Sequence, residues 1–455
     1  MRKQGARKTA ATKRSPVKRA SRRKAAAPPA APALRPRITP AVIALGVVLL
    51  ALLFYLNTYV GHTPGQPHIN DYMLVHIAGS ALRNGLDMYD PAQWDAAHRL
   101  FGNGYTDNAI FIYPPPMALI FAPFSLLPPM AGEVVWLFFC QLLLAVSAYW
   151  LLRGVNLSQP RRFAMVVACI VFFLPTINAW WARQHSFLLL FFLAAAYMLL
   201  MRRKDWAAGA FLALAALRPS PVLFLAWAIM GWALAHRRWR VWISTAASAV
   251  ALYFIGVLVR PGWLQVWIEH TVGSDGKLDA YQAYVPTLWG LLADLGAPAW
   301  SLIGGVVSVG LAIFSIWWMR RYKHTNFTSV VLLFVPLSLF LSPYSWNYDF
   351  ILLLIPLLLI VRHAEHSAPE LRRRLWPWLL AVTLALPYAL RVVAMLRGRD
   401  TLSALLPLAA WALGLWVVST PYARDPRGTL PPGGVERRRR GSDVPVSKSK
   451  KKKVS

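Results

Sequence analysis

Cysteine is almost missing from this 455-residue chain: there are two, Cys140 and Cys169, and both sit inside long apolar runs. A disulfide-stapled scaffold is therefore excluded, and so is a zinc site of the usual Cys/His spacing. Charge is scarce too, at 15% of residues against about 25% in soluble domains. With 57% hydrophobic residues and a mean hydropathy of +0.44, the composition argues against an ordinary water-soluble enzyme. It equally rules out disorder throughout, which requires low hydrophobicity. Acids are the scarcest charged class, 18 Asp and Glu against 49 Lys and Arg, for a formal net charge of +31. The first 40 residues hold 13 Lys and Arg and no acid, while residues 420–455 hold 11 Lys and Arg against Asp425, Glu436 and Asp443. Most of the excess charge thus belongs to two low-complexity tails that mix base with Pro, Ala and Ser and form no packed core. They read as disordered topology determinants that also touch anionic lipid headgroups, at roughly 1 kcal/mol per basic residue near the surface. Sequence-specific nucleic-acid binding would need a folded reader, and none is visible.

What the chain has in abundance is long apolar runs. A helix crossing a bilayer needs about 20 mostly apolar residues. Windows that meet or approach this lie near 41–60, 131–152, 162–180, 186–201, 206–217, 221–235, 241–259, 299–319, 327–342, 347–361, 375–395 and 402–419. The expectation is an all-α, polytopic membrane protein of about twelve spans, with a membrane domain over 41–419 between cytoplasmic tails at 1–40 and 420–455. The first span follows a long hydrophilic arm and lacks a small-residue cleavage site, so it reads as an uncleaved anchor. With the N-terminal arm inside, 16 basic residues outside the tails fall in inner segments and eight in outer ones. This bias predicts both termini in the cytoplasm of a cell-membrane protein. Twelve of the 18 acids fall on the outer side, where two segments, 61–115 and 260–298, have room for extra structure, the first for short helices. Chemistry that needs carboxylates is expected there.

Five places are candidates for that chemistry. Asp71, in His-Ile-Asn-Asp-Tyr, lies about a dozen positions past the first span. An acid partly desolvated at a membrane surface gains proton affinity and can act as a general base, though Asn70 or Asp71 would equally cap a helix closed by Gly85. Tyr113 precedes Pro114, Pro115 and Pro116, which start a stiff apolar shelf ending at Pro128 and Pro129, too short to span the membrane. Arg183, Gln184 and His185 follow the Trp180-Trp181 pair. Arg and Gln there suit a phosphate or sugar hydroxyl, while the tryptophans equally serve as interfacial anchors. Arg218 stands between apolar helices at an Arg-Pro-Ser-Pro break and needs an anion, carbonyls or an interface to meet its charge. Finally Trp346, Asn347, Tyr348 and Asp349 combine aromatic, amide and acid, which serves for sugar binding or for an interfacial girdle.

The order of these residues, D-Y then G, Y-D and Y-P-P, followed by a turn with Arg-Gln, then L-R-P-S-P and S-P-Y-S-W, resembles the polyprenyl-phosphate-sugar-dependent glycosyltransferases of family 87. These are bacterial membrane enzymes of GT-C architecture, mannosyltransferases among them, and the resemblance runs over about 41–419. It implies transfer of a hexose, such as mannose, from a polyprenyl-phosphate donor to a glycolipid or glycan acceptor hydroxyl on the outer face, by inverting single displacement. It implies Asp71 as the base and, through the Arg218-Pro219 step, a cation near the donor phosphate; Arg183 is the second choice there on its own chemistry, since its turn matches the family's Gly-Gln turn only in Gln184, and no cofactor or metal is assigned. Gln184, His185, Tyr113, Trp346, Asn347, Tyr348 and Asp349 are then expected to line the substrate site. The chain departs from the family pattern in having Arg218-Pro219 where a Lys-Pro step is usual and Asn347-Tyr348-Asp349 where histidines often follow. The rival expectation is a multi-pass transporter or lipid flippase, which would show repeated halves and a charged midplane site.

Overall fold

Proline fixes where many of the helices begin. Its missing N–H costs nothing in the first turn of a helix and its φ is already helical. The computed structural model describes residues 70–102, 111–155, 159–272, 284–296, 299–321 and 326–420. Prolines open α2 (Pro91–Phe101), α3 (Pro115–Phe121), α4 (Pro129–Leu151), α5 (Pro160–Val171) and, one residue in, α6 (Leu174–Trp181). Side-chain caps open others: Asn70 accepts from the Met73 N–H at 3.1 Å to start α1 (Asp71–Arg83). Asn70 is thus the cap and Asp71 the first helical residue, and Gly85 follows the helix at φ +70°.

The remaining helices are α7 (Ser186–Met201), α8 (Asp205–Ala215), α9 (Leu223–Ala235), α10 (Trp239–Val259), α11 (Trp263–Val272), α12 (Leu288–Asp294) and α13 (Trp300–Arg321). After them come α14 (Phe327–Leu341), α15 (Leu354–His366), α16 (Pro369–Leu380), α17 (Leu386–Arg397) and α18 (Leu405–Ser419). No strand occurs among the described residues. The protein is all-helical, and six helical stretches are long and apolar enough to cross a membrane: 129–151, 239–259, 301–321, 347–366, 369–397 and 401–419. The pair α5 and α6, bent by 48°, reaches that length only when its two helices are taken together. Four apolar helices are shorter, 186–201, 205–215, 220–235 and 327–341. At 1.5 Å per residue, even 16 residues rise only about 24 Å against a hydrocarbon core of about 30 Å. The window at 41–60, both tails, and 273–283 of the second outer segment lie outside the described residues.

Burial separates the centre from the rim. The stretch Asn347–His366 is 83% buried, whereas 239–259 and 301–321 are only 17% and 22% buried although they are more apolar. The first is the core, and the other two leave most of their apolar side chains exposed, as helices facing lipid would. α14 is buried along its whole length and packs on α9, α15 and α18, while α7 lies between α4 and α8. Glycine permits two of the closest approaches: a Cβ on Gly79 would stand 3.0 Å from the backbone of Phe121 and Ala122, and one on Gly209 2.7 Å from the Val241 carbonyl oxygen. The first brings α1 against α3, and the second brings α8 against α10.

α1, α2 and α3 therefore form a small helical substructure. It is clasped from α11 by Trp267, whose indole N–H donates to the Ile112 carbonyl at 2.8 Å. Arg260 reinforces the clasp with an ion pair to Asp87 at 2.5 Å. The shelf at 116–127 is a seven-residue helix followed by a 3₁₀ turn, Phe124–Leu126.

Candidate active site

The turn between α6 and α7 gathers most of the site. Arg183 adopts φ +54°, the left-handed region that side-chain-bearing residues rarely occupy and that turns the chain sharply here. The conformation is held from outside the turn. Its carbonyl accepts the Trp136 indole N–H at 3.0 Å, its Nε donates to Glu133 Oε1 at 2.6 Å, and its Nη1 donates to the Trp181 carbonyl. Both members of the Arg183–Glu133 pair are buried. Glu133 is a residue that sequence reasoning assigned no role. Its signal was available, an acid inside the apolar run of α4, where an unpaired charge is costly and implies a cation nearby.

Next along the turn, Gln184 and His185 are both buried. The His185 ring stands edge-on to Tyr113, with centroids 4.6 Å apart, and edge-on to Phe121 at 6.5 Å. Both His185 ring nitrogens and Gln184 Nε2 make no hydrogen bond among the described residues. Burial, and then the charge of Arg218, hold the imidazole well below its ordinary pKa, so it is neutral. Burial likewise raises the Tyr113 phenol, which remains protonated.

Ser186, the first residue of α7, begins the central network. Its hydroxyl donates to Asp349 Oδ1 at 2.7 Å and accepts from Arg218 Nη1 at 2.7 Å. Arg218 meets Asp349 with two nitrogens, Nη1 to Oδ1 at 2.8 Å and Nη2 to Oδ2 at 2.8 Å, and reaches Gln184 Oε1 at 3.5 Å. Its guanidinium carbon lies 5.4 Å from the Tyr348 ring centroid, within cation–π range. Asp349 Oδ2 also accepts from the Trp346 backbone N–H at 3.0 Å and the Ser345 hydroxyl at 3.4 Å. Burial alone would lower the arginine's pKa, but the carboxylate beside it raises it, and the side chain stays charged. The charge of Arg218 is therefore met inside the protein by an acid 131 residues further on.

Asp71 stands beside this network. Its backbone N–H donates to the Ala182 carbonyl at 3.3 Å, which ties the start of α1 to the Arg183 turn. Its side chain is half-buried, and its charge acts on Tyr113, Arg218 and Tyr344. Asn347 faces away from this group and donates through Nδ2 to Asp400 Oδ2 at 2.6 Å, beside a recess that Asn178 and Arg391 also line. Burial raises the Asp400 carboxyl against the hydrogen bonds of Ser403 and Asn347. The structure thus brings Asp71, Tyr113, Gln184, His185, Arg218, Tyr348 and Asp349 together, with Ser186 as a second residue, after Glu133, that sequence reasoning missed. Among the described residues no group of three or more His, Cys, Asp or Glu is arranged to hold a metal ion.

Comparison with known proteins gives this geometry a context. The sequence model of glycosyltransferase family 87 matches residues 111–343, about half of the chain. The polyprenol-phosphate-mannose-dependent alpha-(1-2)-phosphatidylinositol pentamannoside mannosyltransferase of Mycolicibacterium smegmatis is 24% identical over 296 residues, 62% of this chain and 68% of that protein. The polyprenol-phosphate-mannose-dependent alpha-(1-2)-phosphatidylinositol mannoside mannosyltransferase of Mycobacterium tuberculosis is 25% identical over 338 residues, 70% of this chain and 74% of that protein. No solved structure matches the chain.

Proposed function

The chain belongs to glycosyltransferase family 87, a multi-pass membrane hexosyltransferase, and from that premise we propose that it moves mannose from a polyprenyl-phosphate donor to a glycolipid hydroxyl on the outer face. Mannose and the lipid donor come from the relatives' activities. The outer face comes from the charge bias of the loops, and it explains the donor, because a nucleotide sugar confined to the cytoplasm cannot reach a site facing outward.

In this reading Asp71 takes the proton of the acceptor hydroxyl as that oxygen forms its bond to the anomeric carbon. The bond from that carbon to the phosphate oxygen breaks, and polyprenyl phosphate leaves with the electron pair, so the anomeric centre inverts. Arg218 stabilises the charge that grows on the phosphate. Tyr113, Gln184, His185 and Tyr348 line the sugar side. The single observation that supports the reading most is the bond that ties the start of α1 to the Arg183 turn and keeps the Asp71 charge within reach of Arg218. A base and a phosphate-side cation must be held together in this way for one displacement. The transporter alternative gains nothing from the family membership.

Asp71→Asn is the test. Asn keeps the size of the side chain at the first helical position and gives up only a favourable helix-end charge, worth about 0.3–1 kcal/mol, so the fold should survive. Losing a general base costs about 10²- to 10⁴-fold. With purified enzyme, polyprenyl-phosphate mannose and a mannosylated lipid acceptor, turnover should fall at least about a hundredfold while donor binding persists. Near-normal turnover would remove Asp71 from the chemistry.

A further inference from the structure

A guanidinium has two edges that can each grip an oxyanion with two parallel N–H bonds: the outer end, made by Nη1 and Nη2, and the side, made by Nε and the second N–H of Nη2. In Arg218 the outer end is taken, because Nη2 donates to Asp349 Oδ2 at 2.8 Å and Nη1 lies 2.8 Å from Asp349 Oδ1 as an ion pair. Nη1 donates to Ser186 and reaches Gln184 Oε1. The side edge makes no hydrogen bond among the described residues. Arg183 offers no such edge, since its Nε is already given to Glu133.

Asp349 is in turn immobilised. It is fully buried, its two oxygens also accept from Ser186, Ser345 and the Trp346 backbone, and it sits in the first turn of the 3₁₀ segment Asn347–Leu353 that leads into the buried core. The guanidinium is therefore fixed in orientation as well as in place, with the Tyr348 ring near one face.

We propose that Asp349 is the positioning residue of the donor site: by gripping the outer end of Arg218 it aims the side edge at the phosphodiester of the polyprenyl-phosphate sugar. This rests on the reading that such a donor is the substrate. It goes beyond that reading in giving Asp349 no contact with substrate and in making the donor's recognition depend on one edge of one arginine. A phosphodiester carries a single negative charge, and the Arg218–Asp349 pair is formally neutral before it binds. The site then discriminates by the geometry of two N–H bonds more than by net charge, which fits an arginine here and not a lysine.

The test uses full-length enzyme in lipid nanodiscs, with the donor titrated at saturating acceptor and the acceptor at saturating donor. Asp349→Asn keeps the shape but loses the charged grip. Its donor KM should rise at least about tenfold, the scale of a lost charge-assisted pair, with the acceptor KM unchanged within about twofold. Arg218→Lys should raise the donor KM similarly. Adding Asp349→Asn to Arg218→Lys should then cost little more, because a lysine has no edge left to aim.

Ser186→Ala keeps the ion pair and removes one tether, so it should raise the donor KM severalfold even if Asp349→Asn does not fold. An unchanged donor KM in Asp349→Asn or Ser186→Ala overturns the proposal. So do equal shifts of donor and acceptor KM, or full additivity of Asp349→Asn and Arg218→Lys. Wild-type enzyme that consumes no polyprenyl-phosphate mannose would overturn the donor reading itself, and this shows before any variant is made.

Discussion

The residues around the Arg183 turn divide into two kinds of buried charge. In the Arg218–Asp349 pair a further edge of the arginine faces no protein partner among the described residues. In the Arg183–Glu133 pair the arginine supports a left-handed turn and braces α4 against α7. Removing one partner of a buried pair leaves an uncompensated charge and costs about 3–5 kcal/mol, whereas replacing both with apolar residues of similar volume is often neutral or stabilising. Glu133→Ala should therefore lower the detergent melting temperature sharply, and Glu133→Leu combined with Arg183→Met should recover most of it. If the double variant also keeps its donor KM, Arg183 is a structural residue and the phosphate role belongs to Arg218 alone. A stable double variant with a much raised donor KM would instead give Arg183 a share in the phosphate. Much of this site was legible in the sequence as types and order, for Asp71, Arg183, Gln184, His185, Arg218 and Asp349 all drew notice as polar groups at the ends of apolar runs. Which acid answers which arginine was not. Arg218 and Asp349 are 131 residues apart and Arg183 and Glu133 are 50 apart, and no periodicity encodes a pairing at that range.

At the level of elements, apolar run length located the helices well and spanning power less well. Each of the eleven windows from 131 to 419 falls on helical structure, but 162–180 is broken into two helices and four others are too short to span alone, because hydropathy reports what a segment can be buried in and not how far it reaches. The α1–α3 substructure was foreseen only as room for short helices. What fixes it is local: the Asn70 cap, the proline starts of α2 and α3, and the bare Gly79 surface. α1 also carries a titratable lock. His76 is buried with its Nδ1 3.2 Å from the Tyr72 hydroxyl, and burial, then the charge of Arg83, lower its pKa from 6.5 to about 4. The unfolded chain therefore binds a proton more readily than the folded one between these values. Stability from this group is complete above about pH 6.5, declines as the pH falls towards 4, and changes no further below that. Melting temperatures at pH 7.5 and pH 5, a range set by the usual histidine window, should differ more in wild type than in His76→Gln. Equal pH slopes in the two proteins would mean that His76 is not held neutral.

Over the whole molecule, the alternation of the chain sorts its charges by end. α7 starts at Ser186 and finishes before Arg202, Arg203 and Lys204; α8 starts just after them and finishes shortly before Arg218; α9 then runs on to Arg237 and Arg238. α14 finishes shortly before Ser345, and α15, which follows Asp349, carries Arg362 in its last turns. Since Ser186, Arg218, Ser345 and Asp349 are joined by hydrogen bonds, these helices share the site at one end and carry the arginine-rich turns, with α14 excepted, at the other. Basic turns are retained on the cytoplasmic side of a membrane, so the proposed orientation has the network and Asp71 facing the outer one. An added-cysteine labelling experiment measures this directly, because Cys140 and Cys169 are both buried. Arg99 on α2 and Arg374 on α16 are well exposed and make only exposed ion pairs within their own helices, so replacing either leaves the core untouched. On intact cells a membrane-impermeant maleimide should label Arg99→Cys and not Arg374→Cys, and lysed cells should label both. The reverse pattern would put the Asp71 side in the cytoplasm, where nucleotide sugars are available, and would remove the reason for a lipid-linked donor.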